Sequence, residues 1–473
     1  MSIDDLYRAS DGVGLAQHIR SGDVSAPEVA EAAIRAIEAL NPQLNAVILK
    51  LYDIGRAAAA APGDGPLKGV PFLLKELASG WAGVQANNAS RFLDGVTAPV
   101  DSVVVGRIKA AGLTLLGKTN APENGWSIGT EPVLYGATLN PWDPALTPGG
   151  SSGGTAVAVA TGMVPIAEAS DGAGSIRVPA SCCGTVGLKP SRGRVTLAPF
   201  ADYWAGGAYF LCNSRTVRDT AAYLDAVAGA LPGDVYELAL PDRSFSDLAA
   251  AAPRGLRVGF TVTDPSGNPV HPEIADSVRA VARVLEGLGH HVEEHDMGFD
   301  AARLWQTYTD FTCVETAATY GFFEQILGRT IGPGDVEPVT MAVIERGRAA
   351  SAIDHAGRIN DLRAMGREVA ADLRPYDVFL TPTLTQPPRP RGFYDMSMTD
   401  LDAYNALWAD AVFMTPFNIS GQPAMSLPLG QAGHMPAGVQ LVGRMGDEGT
   451  LLAVATVLEQ AMPWRDRRPP VRW

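Results

Sequence analysis

With 473 residues, 51 acidic against 37 basic side chains and a formal net charge of −14, the chain is poorly suited to tracking phosphates, which argues against direct nucleic-acid binding. No apolar run reaches membrane-spanning length, and the start MSIDDLYRAS lacks the basic and apolar stretches of a signal peptide. A 46% hydrophobic share allows a large core, and the four cysteines (Cys182, Cys183, Cys212, Cys313) show no zinc spacing, which fits a reducing cytoplasm.

Ser25-Ala-Pro-Glu28 is a capping box that predicts a helix running to Leu40, with Val29, Ala33, Ile34 and Ile37 on one face. The apolar run GVPFLL leads into Lys75, Ser102–Ala111 predicts a second helix, and Leu113–Leu116 a short strand ending at Gly117-Lys118-Thr119. Thr155–Thr161 has the small, unbroken composition of a packed helix. Val164–Ala169 then reads as a strand, followed by a polar glycine turn and Gly184–Pro190. Pro253–Phe260 predicts a strand. Pro272–Leu288 predicts a helix with Ile274, Val278, Val281, Leu285 and Leu288 along one stripe, closed by Gly289. Residues 300–374 read as mostly helical, Tyr376–Leu380 as a strand and the proline-rich Thr381–Arg391 as a loop. Pro423–Pro428 and Gly438–Val442 predict strands ahead of a helix at Thr450–Met462. Helices alternating with buried strands argue for an α/β fold. No repeat or long linker divides the chain, so a single domain over residues 1–473 is expected.

The chemistry concentrates in Gly149–Arg177, GGSSGGTAVAVATGMVPIAEASDGAGSIR. Ser175 ends the turn Asp171-Gly172-Ala173-Gly174-Ser175, whose small residues let successive backbone N–H groups face one point, as an oxyanion requires. Ser151 lies among four glycines, which permit unusual backbone angles, a strained or cis peptide included. No histidine lies between His18 and His271, so a serine nucleophile here needs another base. Lys75, behind Val70, Phe72, Leu73 and Leu74, is the natural candidate, because burial disfavours the ammonium.

These residues stand in seven segments: GVPFLLKE, GKTNAPE, GGSSGGTAVAVATG, SDGAGSIRVPA, CGTVGLKPSRGRV, YDVFLTPT and FNISGQPAMSLPLG. In wording and order, from about residue 20 to 465, they resemble the amidase signature family. The resemblance implies a central twisted mixed sheet wrapped by helices, with a signature core at about 65–220 and a helical substrate-pocket region at about 265–375. It implies amide hydrolysis without metal or cofactor by a triad of Lys75, Ser151 (in a cis peptide) and Ser175. The backbone amides of Gly172, Ala173, Gly174 and Ser175 correspond to the oxyanion hole. Glu76 stands where the family often has Asp, and Ala173 where Gly is common. Within the family, NPW before the serine loop, PFNISGQPA and the terminal PW with its RRP tail are similar to hydrolases of cyclic 6-aminohexanoate dimers. Aryl acylamidases and carbamate-cleaving amidases fit nearly as well. Relatives also include dimers, which makes a homodimer the default, and glutamine-dependent amidotransferase subunits. A catalytically silent binding protein on the same scaffold is a further alternative.

Other residues have plainer readings. Ser152 reads as a support within its loop, and Asp171 with Arg177 as an ion pair holding the turn rather than acid–base groups. Gly112–Thr119 matches the P-loop pattern, but its LTLL is strand-like. His290, His291 and His295 in HHVEEH resemble a metal cluster but fit a polar strand better, and Asn88 and Asn418 begin sequons without a secretory signal. Trp126, Tyr203, Trp204, Phe311 and Cys313 are candidates for the substrate pocket, with core packing as the alternative.

Overall fold

In the computed structural model, which describes residues 2–77, 80–200, 202–471 and 473, the alternation of helices with apolar runs builds one eleven-stranded sheet. Its strands are β1 (Val47–Lys50), β2 (Pro71–Lys75), β3 (Thr114–Thr119), β4 (Ile166–Asp171), β5 (Val186–Lys189), β6 (Tyr209–Ser214), β7 (Arg257–Phe260), β8 (His291–Glu294), β9 (Val378–Pro382), β10 (Ala424–Ala432) and β11 (Met435–Gly443). Their order across the sheet is β1-β3-β2-β4-β6-β5-β10-β11-β9-β7-β8. Parallel pairs (β2 with β3 and β4, β7 with β8 and β9) flank a central run of antiparallel ones, so the sheet is mixed, as expected. Every residue of β2, β3, β4 and β5 is buried. Helices on both faces remove the polar–apolar alternation of a half-exposed strand, which is why these segments read as continuous apolar runs.

The helix opening at Ser25 forms with both halves of its capping box but spans Ala26–Leu44, four residues beyond the predicted end. Pro42 lies inside its last turn and forfeits one backbone bond. Buried Leu40 and Leu44 hold that turn, while the Asn41 side chain accepts the N–H groups of Ala46 and Val47 and leads the chain into β1. Strand β9 likewise extends two residues past the predicted Leu380, because Thr381 and Pro382 still pair with Gln440 and Val439. The region expected to be helical consists of Ala301–Leu327, Pro338–Ala349 and Ala352–Asp372. Pro428 in β10 falls where the register with β11 shifts, between Leu427 and Gly430, a place where a missing N–H costs no ladder bond. Among the described residues no helix is long and apolar enough to cross a membrane.

Candidate active site

Strands β2 and β4 run side by side and parallel, Phe72 opposite Ile166 and Leu73 opposite Ala167. Their carboxyl ends therefore open at the same edge of the sheet, the usual place for a site in an α/β protein. β2 ends at Lys75, and β4 delivers Ser170 and Asp171. Between them in sequence, Gly149–Ser152 leads into the helix Gly153–Ala160, which packs beneath β4.

Lys75 is fully buried, and its Nζ donates to Ser151 Oγ at 2.7 Å and Ser170 Oγ at 2.9 Å. Burial pushes the amine down to about 7, and the negative charges of Asp171 and Glu168 act in the opposite sense. The structure thus brings Lys75 and Ser151 into direct contact across 76 residues of sequence. The Gly150–Ser151 peptide is cis. Gly150 passes so close to the 127–129 loop that a Cβ would lie 2.4 Å from the Gly129 carbonyl oxygen, which explains a glycine here. Ser152 donates through Oγ to the Ser170 carbonyl at 3.3 Å, and its N–H reaches the Ser175 carbonyl at 3.3 Å, so it ties the serine loop to the nucleophile turn.

That turn, residues 172–176, is held from below by Asp171. The Asp171 carboxylate accepts the N–H groups of Gly174 (2.8 Å) and Ile176 (3.2 Å), two nitrogens of Arg177 (2.9 Å each) and the Asn418 amide (2.9 Å). The Arg177 guanidinium beside it holds Asp171 well below the usual carboxylate range against the opposing effect of burial. Arg177 also reaches Gln440 Oε1 at 2.9 Å, Asn418 Oδ1 at 2.6 Å and the Met414 carbonyl at 3.2 Å. Both ions are completely buried, and each is held by several hydrogen bonds within the network. Gly174, at φ +108°, sits in a region closed to other residues, and a Cβ would meet Met414 Cγ at 2.6 Å. Because its N–H is engaged by Asp171, Gly174 contributes to the turn's shape, whereas Gly172, Ala173 and Ser175 are the other members of the expected donor set.

Several partners escaped the sequence reading. Ser170, Asn418 and Gln440 come from β4, from the helix Thr415–Ser420 and from β11; each is an ordinary polar residue until the sheet closes around Lys75 and Arg177. Asn418 is completely buried, which removes its sequon as a glycosylation site. Asn124, at φ +49°, is buried with neither side-chain polar atom bonded; it adjoins Gly125, where a Cβ would lie 3.4 Å from Ser151 Oγ.

Of the pocket candidates, Trp126 and half-buried Tyr203 and Trp204 gather beside the nucleophile turn, Tyr203 stacked on Trp204 at 5.6 Å and Trp126 tilted at 6.4 Å from it. Phe311 instead stacks on His355 in the core, and Cys313 is fully buried where Ala301–Leu327 crosses Gly347. Lys118 lies within β3 and pairs with Glu76 at 3.0 Å, both buried, so the P-loop match is a strand, and the departure at Glu76 serves this ion pair. His291–Glu294 forms the edge strand β8, and among the described residues no group of three or more His, Cys, Asp or Glu side chains is arranged to hold a metal.

Residues 28–452 match the amidase family model. The chain is 37% identical to 6-aminohexanoate-cyclic-dimer hydrolase of Paenarthrobacter ureafaciens, over 99% of this chain and 98% of that one. The solved structure of a 6-aminohexanoate cyclic dimer hydrolase complexed with substrate superposes with a TM-score of 0.94 at 36% identity, covering 98% of this chain and 99% of the other. A bacterial aryl acylamidase of the amidase signature family gives 0.88 at 29% identity, over 96% of both chains. The protein therefore belongs to the amidase signature family, and the reaction it catalyses is hydrolysis of amide C–N bonds.

Proposed function

We propose that Ser175 is the nucleophile, Ser151 the proton relay and Lys75 the general base of this hydrolysis. The observation that carries the reading is the 2.7 Å contact between Ser151 Oγ and a wholly buried amine held near neutrality. A charged Lys75 donates across that distance; a neutral one accepts the Ser151 hydroxyl proton. Ser175 Oγ attacks the amide carbonyl as its proton passes to Ser151 and that of Ser151 passes to Lys75. The oxygen of the tetrahedral adduct takes the negative charge, facing backbone N–H groups of the 172–175 turn, with Gly172, Ala173 and Ser175 as donors. The C–N bond breaks as the departing nitrogen takes a proton from Ser151, which Lys75 replaces. Water then repeats the sequence on the ester to Ser175, releasing the acid and restoring all three groups.

Nucleophile, base and oxyanion donors all come from the chain, so this route calls for no metal or cofactor. The four cysteines are buried free thiols, in keeping with a cytoplasmic enzyme. For substrate we take the cyclic dimer of 6-aminohexanoate or a close analogue, on the strength of end-to-end likeness to enzymes of that name. The test is a panel of cyclic dilactam, linear amide, anilide and carbamate assayed against wild type and Ser175→Ala. Turnover of the dilactam above the other three supports the reading, and amidase activity retained by Ser175→Ala ends it.

A further inference from the structure

One polar group beside the nucleophile turn has no function in the scheme above. Trp204 and Ala205 both adopt left-handed backbone, φ +56° and +49°, a conformation that a bulky residue holds only when its surroundings impose it. The result is an indole laid against the turn itself: a Cβ on Gly172 would lie 2.4 Å from Trp204 Cζ3 and 2.9 Å from Cε3. The absence of a side chain at Gly172 admits the ring. Trp126 lies 6.4 Å away on one side, Tyr203 stacks at 5.6 Å, and Tyr308 meets the ring edge-on at 6.3 Å. The neighbours have their polar atoms engaged, Trp126 Nε1 on Thr316 at 3.0 Å and the Tyr308 hydroxyl on the Gly172 carbonyl. Trp204 Nε1, by contrast, is buried with no hydrogen-bond partner among the described residues. Native proteins rarely leave a buried donor unpaired without a use for it. Nε1 stands on the edge of the indole opposite Cε3 and Cζ3, so it faces away from the nucleophile turn.

We propose that the Trp204 indole N–H recognises a second carbonyl of the substrate, beyond the scissile amide, with the intervening methylene chain resting on the aromatic rings. This rests on the amidase reading at Ser175 and narrows it: the preferred substrates are amides carrying a second amide one aliphatic spacer away. A single-amide substrate of the same size fills the rings but leaves the donor unpaired, and a site built around such a donor discriminates against it.

The experiment compares the cyclic dilactam of 6-aminohexanoate with the monolactam of the same ring size, in wild type and Trp204→Phe. A neutral hydrogen bond of ordinary strength predicts that the dilactam-to-monolactam ratio of kcat/KM falls roughly 2- to 12-fold in the variant. The change is expected in KM more than in kcat. Thermal melts check the fold, and Trp204→Met, which also lacks the N–H, carries the same comparison if the phenylalanine variant melts early. An unchanged ratio, whether both substrates lose equally or neither does, overturns the proposal while leaving the amidase reading intact. Wild-type enzyme inactive on both lactams, yet active on an anilide, overturns the proposal and the dilactam substrate reading but leaves the Ser175 chemistry standing; no amidase activity on any substrate overturns all three.

Discussion

Replacing Lys75 by methionine keeps most of the side chain's volume and removes the amine, and the structure predicts opposite consequences for activity and stability. With the amine held at about 7, roughly half the enzyme carries a neutral Lys75 at pH 7, against about one in a few thousand for an exposed lysine. At about 1.4 kcal/mol per pH unit, burial set against the charges of Asp171 and Glu168 therefore disfavours the ammonium by a net of about 5 kcal/mol. For the sign, the folded value lies below the unfolded one, so the unfolded chain binds more protons between pH 7 and about 10.5 and stability rises with pH through that window. At or below pH 7 the folded protein bears the full penalty of a buried charge. Lys75→Met removes that penalty and loses the bonds to Ser151 and Ser170, each about 0.5–1.5 kcal/mol. The balance is a gain on the order of 2–4 kcal/mol near neutral pH, which for a chain of this length is about 2–4 °C in Tm. Activity moves the other way, because loss of a positioned base costs about 10²–10⁴-fold. In wild type the acid limb of kcat/KM falls tenfold per pH unit below about 7, since only the neutral amine accepts a proton. The assays are kcat/KM from pH 5 to 9 and calorimetric melts at pH 7. A variant within tenfold of wild type, or a wild-type profile flat across that range, refutes the assignment of Lys75 as base.

Ser170→Ala removes a hydroxyl that accepts from the Lys75 ammonium at 2.9 Å; losing a bond to the charged form lowers the amine further, so the acid limb shifts to lower pH while kcat drops, read from the same profiles. Asp171→Ala strands the Arg177 guanidinium in a site with no solvent contact, and the expected cost is about 3–5 kcal/mol by urea denaturation. Because Asp171 is held below its unfolded value, its stabilisation is present above pH 4 and fades on acidification below that. Gly174→Ala puts a methyl group 2.6 Å from Met414 Cγ at φ +108°; the turn must shift, and kcat/KM is expected to fall at least tenfold with a loss of about 1–3 kcal/mol in stability. A fluorophosphonate probe should modify wild type on the peptide containing Ser175 and leave Ser175→Ala unmodified, read by mass spectrometry.

What the sequence disclosed and what it hid divide along physical lines. The sheet was legible where strands are buried on both faces, as at β4 and β9, and the capping box at Ser25 announced its helix. Strand β6, with Tyr209 and Phe210 ahead of polar Asn213 and Ser214, carries no clear period; its place between β4 and β5 depends on pairings with residues 26 to 48 positions away. The helix from Ala26 outran its predicted end because a proline in a last turn removes only one bond while Leu44 remains buried. Local rules set propensities, and burial against distant partners decided these cases.

The same division governs the site. Its backbone parts, the glycines at 149–154 and 172–174, leave a mark in the sequence because they must sit where no side chain fits, and Lys75 stands out as a cation following an apolar strand. The partners that tune those parts do not: Asn418 and Gln440 satisfy Arg177 from 241 and 263 residues away, through contacts that exist only once β11 and the helix Thr415–Ser420 dock on the turn. Such residues carry no local signature but are coupled in the fold, since removing one leaves a buried charge or amide without a partner. A double-mutant cycle on Asn418→Ala and Asp171→Ala exposes that coupling. Both changes unpair Arg177, so their stability costs should fall short of additivity by about 0.5–3 kcal/mol. Strict additivity would mean that the two side chains hold the turn independently, and that Arg177 is not the hub through which they act.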